Sequence, residues 1–170
     1  LISINQGEIR NSNFENISIT APTKSQKTGL IGSSMGTLKN LKLKDIRINA
    51  SGSYIGGLCG VASGMVDGIT AEGSLNENSY QYSISGGEPK SDGVSYVGGL
   101  IGRLEGEAQH LAAEGIQVIG SKRVGGLVGE TTNPSGARKY YGFRLGVRTD
   151  HSDSSESRGA WTGTNYDADN

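Results

Sequence analysis

A short core is written four times along this chain: Thr28-Gly-Leu-Ile-Gly, Gly56-Gly-Leu-Cys-Gly, Gly98-Gly-Leu-Ile-Gly and Gly125-Gly-Leu-Val-Gly. Leu1-Ile2 fits the same pattern as a fifth, truncated copy. The five leucines, Leu1, Leu30, Leu58, Leu100 and Leu127, are 29, 28, 42 and 27 residues apart. Repetition at a fixed period means that one supersecondary unit is built several times and that neighbouring units share a core. Three of the four intervals agree on a period near 28; the third exceeds it by about 14.

The rest of the unit repeats too. A glycine stands six residues after the leucine at Gly7, Gly36, Gly64 and Gly106, and nine after it at Gly136. Behind these glycines the apolar residues fall in columns. One holds Ile9, Leu38, Val66 and Ala108; another Phe14, Leu43, Ala71, Ala113 and Phe143. A third holds Ile17, Ile46 and Ile116, with Ser74 in copy three, and a fourth holds Ile19, Ile48 and Val118. Within a copy they alternate, as at Leu41 and Leu43, then Ile46 and Ile48. Alternation of β-branched and aliphatic residues predicts strands. Asn16, Asp45, Gly73 and Gly115 punctuate the runs as turn residues. Glycine recurs too often for helix, with 28 in 170 residues.

A three-strand unit cannot bury an apolar face alone, but stacked copies align equivalent side chains into a common interior. The expected fold is therefore all-β: a right-handed parallel β-helix of about five coils of about 28 residues. A propeller blade needs roughly 40 residues or more, and a leucine-rich repeat needs an asparagine-and-leucine signature that is missing. Residues 1–145 are expected to form the repeats, with a loop or hairpin insertion at about 76–93. Removing residues 77–90 would restore the leucine interval to 28, so that stretch reads as dispensable for folding. Residues 146–170, polar with Trp161 as the one large apolar anchor, read as a cap or exit segment. Copy one starts inside a repeat, so the chain is expected to be a fragment or to have lost residues before Leu1.

These motifs resemble the GLUG repeat, named for its Gly-Leu-(variable)-Gly core, and the resemblance covers roughly residues 1 to 145. GLUG arrays occur in large bacterial surface and secreted proteins, among them adhesins and the non-catalytic part of some IgA-cleaving zinc metalloproteases. The resemblance implies an extracellular or bacterial cell-surface setting and a structural motif; it carries no active site.

Composition narrows the function classes. The net charge of −1 gives no field for nucleic acid or anionic lipid. No apolar run approaches the roughly 20 residues of a membrane-spanning helix, so no membrane insertion is expected, and no cleavable signal stands at the start. The single cysteine, Cys59, excludes a disulfide framework. It shares a column with Ile31, Ile101 and Val128 and reads as a small core residue. His110 and His151 stand in no His-Glu-x-x-His arrangement. A column of Glu15, Lys44, Glu72, Glu114 and Arg144 reads as a surface charge ladder; its alternative is a Glu72–Glu114 carboxylate pair of the glycosidase kind. The basic run of Lys39, Lys42, Lys44 and Arg47 reads as a solvated face.

The structural residues are expected to be Leu30, Leu58, Leu100 and Leu127 with Gly57, Gly99 and Gly126. Candidate contact residues are Tyr80 and Tyr82 on the insertion, and the Tyr54, Tyr96 and Arg123 column beside the glycine core. Asp167 and Asp169 offer a weak calcium candidate; no other metal and no cofactor is implied. The expected role is a non-enzymatic segment of a bacterial surface adhesin, a stalk or a contact surface for a host glycan or protein. The alternatives are a spacer of a secreted protease and, less well supported, a carbohydrate-active β-helix enzyme.

Overall fold

In the computed structural model, residues 1–76, 79–86, 96–120, 123–132 and 145–151 are described, the last of these and residues 22–25 as backbone. Copy one supplies β1 (Ile2–Asn5), β2 (Glu8–Glu15) and β3 (Ser18–Thr28); copy two supplies β4 (Ile31–Ser34), β5 (Thr37–Lys44) and β6 (Arg47–Gly56). Copy three supplies β7 (Cys59–Ala62), β8 (Met65–Glu72), β9 (Leu75–Asn76), β10 (Ser79–Tyr80), β11 (Tyr82–Gly86) and β12 (Tyr96–Gly98). Copy four adds β13 (Ile101–Leu104), β14 (Glu107–Gly120) and β15 (Val124–Gly125), and copy five β16 (Val128–Thr131) and β17 (Leu145–His151). The described residues contain strands and no helix.

The first sheet is wholly parallel, in the order β1-β4-β7-β13-β16. Its register pairs Ile2 with Ile31, Ile31 with Cys59, Cys59 with Ile101 and Ile101 with Val128. Partners are thus 29, 28, 42 and 27 residues apart, the intervals between the leucines. The second sheet stacks β2, β5, β8 and the first half of β14 in parallel, then β3, β6, β11 or β12, and the second half of β14. The only antiparallel pair among the described strands is β9 with β10. Mostly parallel sheets in an all-β chain are compatible with a β-helix.

Two columns of left-handed residues bend the strands of the second sheet. Asn11, Asn40, Gly68 and His110 have φ of 52°, 52°, 68° and 53°, and Asn16, Asp45 and Gly115 have φ of 55°, 53° and 63°. Asparagine, aspartate and glycine tolerate that region best, which is why the sequence places them there. The Asn40 amide donates to Asn11 Oδ1 at 3.2 Å, so the bend is also tied between copies.

The inward columns form one core. Leu30, Leu58, Leu100 and Leu127 are buried, as are Leu38, Leu43, Ile46, Ile48, Val66, Ile69, Ile116 and Val118. Gly57, Gly99 and Gly126 are buried beside the leucines. The last glycine of each core packs against backbone. A Cβ on Gly102 would sit 2.6 Å from the Ile55 nitrogen, and one on Gly60 would sit 2.7 Å from the Thr28 nitrogen. The first-sheet strands β7 and β13 therefore lie directly on the ends of β3 and β6, which any side chain at these glycines would prevent.

Several expectations are corrected. The extra 14 residues of copy three are not one insertion. Glu72 pairs with Lys44, 28 apart; Ser83 pairs with Arg47 and Gly86 with Ala50, both 36 apart; Tyr96 pairs with Tyr54, 42 apart. The excess is 8 residues, Ser74–Gln81, and then 6 more within residues 87–95, which lie outside the described residues. Between them β11 returns to the core. Tyr82, not Ser74, fills the Ile46 and Ile116 column, and Ile84 fills that of Ile48 and Val118. Burial decides the matter, because Tyr82 and Ile84 are fully buried and a serine there would leave a void.

In copy five, Leu145 stands beside Ala113, Gly146 beside Glu114 and Val147 beside Ile116, so Phe143 and Arg144 do not hold those places. The strand runs on to His151, past the boundary expected at 145. In copy one, Lys27 stands beside Tyr54, one residue out of step with the leucine count. Asp167, Asp169, Trp161 and Gly136 lie outside the described residues.

Cys59 is fully buried, and its thiol donates to the Val61 carbonyl at 3.0 Å. Burial pushes its pKa up to about 12. Such a thiol ionises in the unfolded chain first, so its contribution to stability is complete below the ordinary thiol pKa and is lost as pH rises toward about 12. Burial drives the Tyr82 hydroxyl in the same direction. Cys59→Val, matching Val128, should leave stability at neutral pH within about 1 kcal/mol and reduce the alkaline loss. Native Cys59 should react slowly with a thiol reagent; fast labelling would reverse the inward assignment of this strand.

Candidate contact surface

Because the glycine column brings the first sheet down onto β6 and β12, side chains from both strand sets meet along one ridge. The Tyr54 and Tyr96 rings stack with centroids 5.2 Å apart and planes 11° off parallel. The Arg103 guanidinium lies 5.3 Å from the Tyr54 centroid and the Arg123 guanidinium 5.2 Å from that of Tyr96. Arg103 Nη1 donates to the Tyr54 hydroxyl at 2.8 Å, and Arg123 Nη1 to the Tyr96 hydroxyl at 3.3 Å. Glu130 lies 3.5 Å from Arg103 Nε and 3.3 Å from Arg123 Nη1; Glu105 lies 3.2 Å from Arg103 Nε and accepts from the Ser63 hydroxyl at 2.7 Å.

The electrostatics follow from these contacts. Burial raises the Tyr96 pKa, and Glu130 adds to it. Burial acts against the charge of Arg103, but the Tyr54 hydroxyl and the two glutamates more than offset it, so its pKa is raised. The Arg123 guanidinium lies over the Tyr96 ring and Tyr54 stacks on it, so that ring is a member of a stack. The expected column of Tyr54, Tyr96 and Arg123 is brought together; Lys27, Arg103, Glu105 and Glu130 belong with it. Arg103 and Glu130 are register partners and their alternation could have marked them, but their approach to the tyrosines depends on packing between sheets. A double-mutant cycle on Tyr54 and Tyr96 should return a coupling of about 0.5–1.5 kcal/mol in urea unfolding. Additive single effects would mean that the rings do not stack in solution.

The insertion tyrosines separate. Tyr82 is fully buried and its hydroxyl donates to the Gly99 carbonyl at 2.8 Å, which removes it from the contact candidates. Tyr80 is half-buried on the β9–β10 hairpin, opposite Leu75, which is 67% exposed. The hairpin is tied to copy two: the Ser74 backbone N–H and hydroxyl donate to Asp45 Oδ1 and Oδ2 at 2.7 and 3.0 Å.

The charged column runs Glu15, Lys44, Glu72, Glu114, with Gly146 in its fifth place. Lys44 Nζ lies 2.9 Å from Glu15, which raises the lysine pKa. Glu72 and Glu114 are exposed register neighbours. His110 Nδ1 lies 2.8 Å from Asp67 Oδ1, and Lys39 lies 3.6 Å from the other oxygen. The histidine contact holds the Asp67 carboxyl below its usual range. Among the described residues no group of three or more His, Cys, Asp or Glu is placed to hold a metal ion, and no helix is long and apolar enough to cross a membrane. No protein-family model matches the chain, and comparison with curated proteins and with solved structures gives no match.

Proposed function

We propose that the chain is a right-handed parallel β-helix of about five coils, a GLUG-type segment of a bacterial cell-surface adhesin that serves as a stalk or contact surface without catalysing a reaction. The observation that carries this reading is the first sheet, whose five parallel strands keep one register while the sequence between them varies in length. An array of this kind is stiff, because every copy is held by its neighbours through a continuous core and an unbroken hydrogen-bond ladder. The surface is consistent with a spacer: its charges pair between copies, as at Lys44–Glu15 and Arg103–Glu130.

Small-angle scattering tests the stalk. The protein should be a rod of constant cross-section that lengthens by about 4.8 Å for each duplicated copy. A compact particle whose shape ignores such duplication would overturn it. A screen against host glycans and extracellular proteins tests the contact role, and turnover of any screened polysaccharide would overturn the non-enzymatic reading.

A further inference from the structure

Tyr54 and Tyr96 are set side by side by the backbone itself, as Cα partners on the neighbouring parallel strands β6 and β12. Their rings lie 5.2 Å apart between centroids and 11° from parallel. Both phenol ends are held. Arg103 Nη1 donates to the Tyr54 hydroxyl at 2.8 Å and Arg123 Nη1 to the Tyr96 hydroxyl at 3.3 Å. The Tyr96 hydroxyl in turn donates to Glu130, a carboxylate able to take its proton. Both tyrosines are half-buried, so packing fixes the rings while solvent still reaches them. The other tyrosines with described side chains have no such partner. Tyr82 is fully buried with its hydroxyl on the Gly99 carbonyl, and Tyr80 stands opposite Leu75.

We propose that this pair is a site of oxidative modification, at which a one-electron oxidant of the peroxidase class joins Tyr54 to Tyr96 as a dityrosine. Each phenol gives one electron to the oxidant and loses one proton, that of Tyr96 to Glu130 and that of Tyr54 to water. The two phenoxyl radicals carry spin on the ring carbons beside the oxygen, and a carbon–carbon bond forms between two of these carbons. The hydrogen on each bonded carbon then leaves as a proton and each oxygen takes one up, which restores two phenols. One hydrogen peroxide accepts both electrons and both protons and becomes two waters, so the chain loses two hydrogen atoms. Coupling requires the two radicals to meet before either is quenched, and a stack built into neighbouring strands supplies that proximity. The link would tie copy two to copy three. It would also close the stretch from Tyr54 to Tyr96, which holds both parts of the excess in copy three and is therefore the longest excursion between stacked strands. This modification is independent of the stalk and contact roles.

The test treats the full chain, at low concentration, with a haem peroxidase and hydrogen peroxide. Dityrosine fluorescence, intact mass and tryptic mapping are the readouts. One link should form within a monomer that is lighter by two hydrogen atoms. The tryptic peptides 48–90 and 91–103, which carry Tyr54 and Tyr96, should stay joined. The melting temperature should rise by at least about 5 °C, as expected for a cross-link that closes a long loop. The link should be absent from Tyr54→Phe and from Tyr96→Phe, each of which keeps the ring, and present in Tyr80→Phe. The same oxidation in urea should lose the preference for this pair, a comparison that needs no substitution and so stands even where a variant disturbs the fold. Links between chains only, links that survive both phenylalanine variants, the same mixture of links in native buffer and in urea, or no dityrosine in the folded chain would each overturn the site.

Discussion

Deleting residues 74–81 should leave a chain that folds, whereas deleting residues 77–90 should leave one that does not. The second deletion restores the leucine interval to 28, the regular value, so chain length alone would favour it. It also removes Tyr82 and Ile84, both fully buried, and with them the strand that joins β6 to β14. Losing two such side chains costs roughly 5–10 kcal/mol, which is comparable to the whole stability of a typical domain. The shorter deletion removes the hairpin alone. It joins Gly73 to Tyr82, as Gly115 joins Ile116 in copy four and Asp45 joins Ile46 in copy two. Asp45 and Gly115 have positive φ, so Gly73 must adopt that conformation after the deletion, and a glycine does so freely. The lost hydrogen bonds from Ser74 to Asp45 are exposed and contribute about 1 kcal/mol or less. Circular dichroism melts and hydrogen exchange separate the two variants. Cooperative unfolding of the 77–90 deletion near the parent temperature would show that β11 is not in the core.

Leu58→Asp should abolish cooperative unfolding at neutral pH. Leu58 is fully buried between the equivalent Leu30 and Leu100, and its backbone N–H donates to the Leu100 carbonyl at 2.8 Å. The substitution forfeits roughly 1.5–3 kcal/mol of burial and places a carboxyl where neither water nor a cation reaches it, at a further cost of several kcal/mol. Burial would raise the pKa of that carboxyl, so the folded variant would keep what stability it has below the ordinary aspartate pKa and lose it as pH rises. The variant should therefore be less damaged at pH 4 than at pH 7, whereas Leu58→Met should stay within about 1.5 kcal/mol of the parent at both. A Leu58→Asp protein that melts within a few degrees of the parent at neutral pH would put Leu58 outside the core.

How far the sequence reaches is clearest at the two ends of copy three. The period, the inward columns, the alternation and the left-handed corners are all local or periodic properties. A residue that must face inward in one copy must do so in the next, so Leu30, Leu58, Leu100 and Leu127, or Asn11 and Asn40, announce themselves by recurrence. Tertiary structure decided what recurrence cannot express. Counting from leucines assigns all 14 extra residues to one place, since a spacing records how many residues are added but not where. Only the competition between Ser74 and Tyr82 for one core position, settled by the volume to be filled, divides the excess in two. The one-residue shift that sets Lys27 beside Tyr54, and the register that sets Leu145 beside Ala113, are likewise chosen by pairing between copies. The ridge of Tyr54, Tyr96, Arg103, Arg123 and Glu130 has the same origin. Its members come from strands of different sheets, and they meet because the glycines let two backbones approach more closely than any side chain would permit.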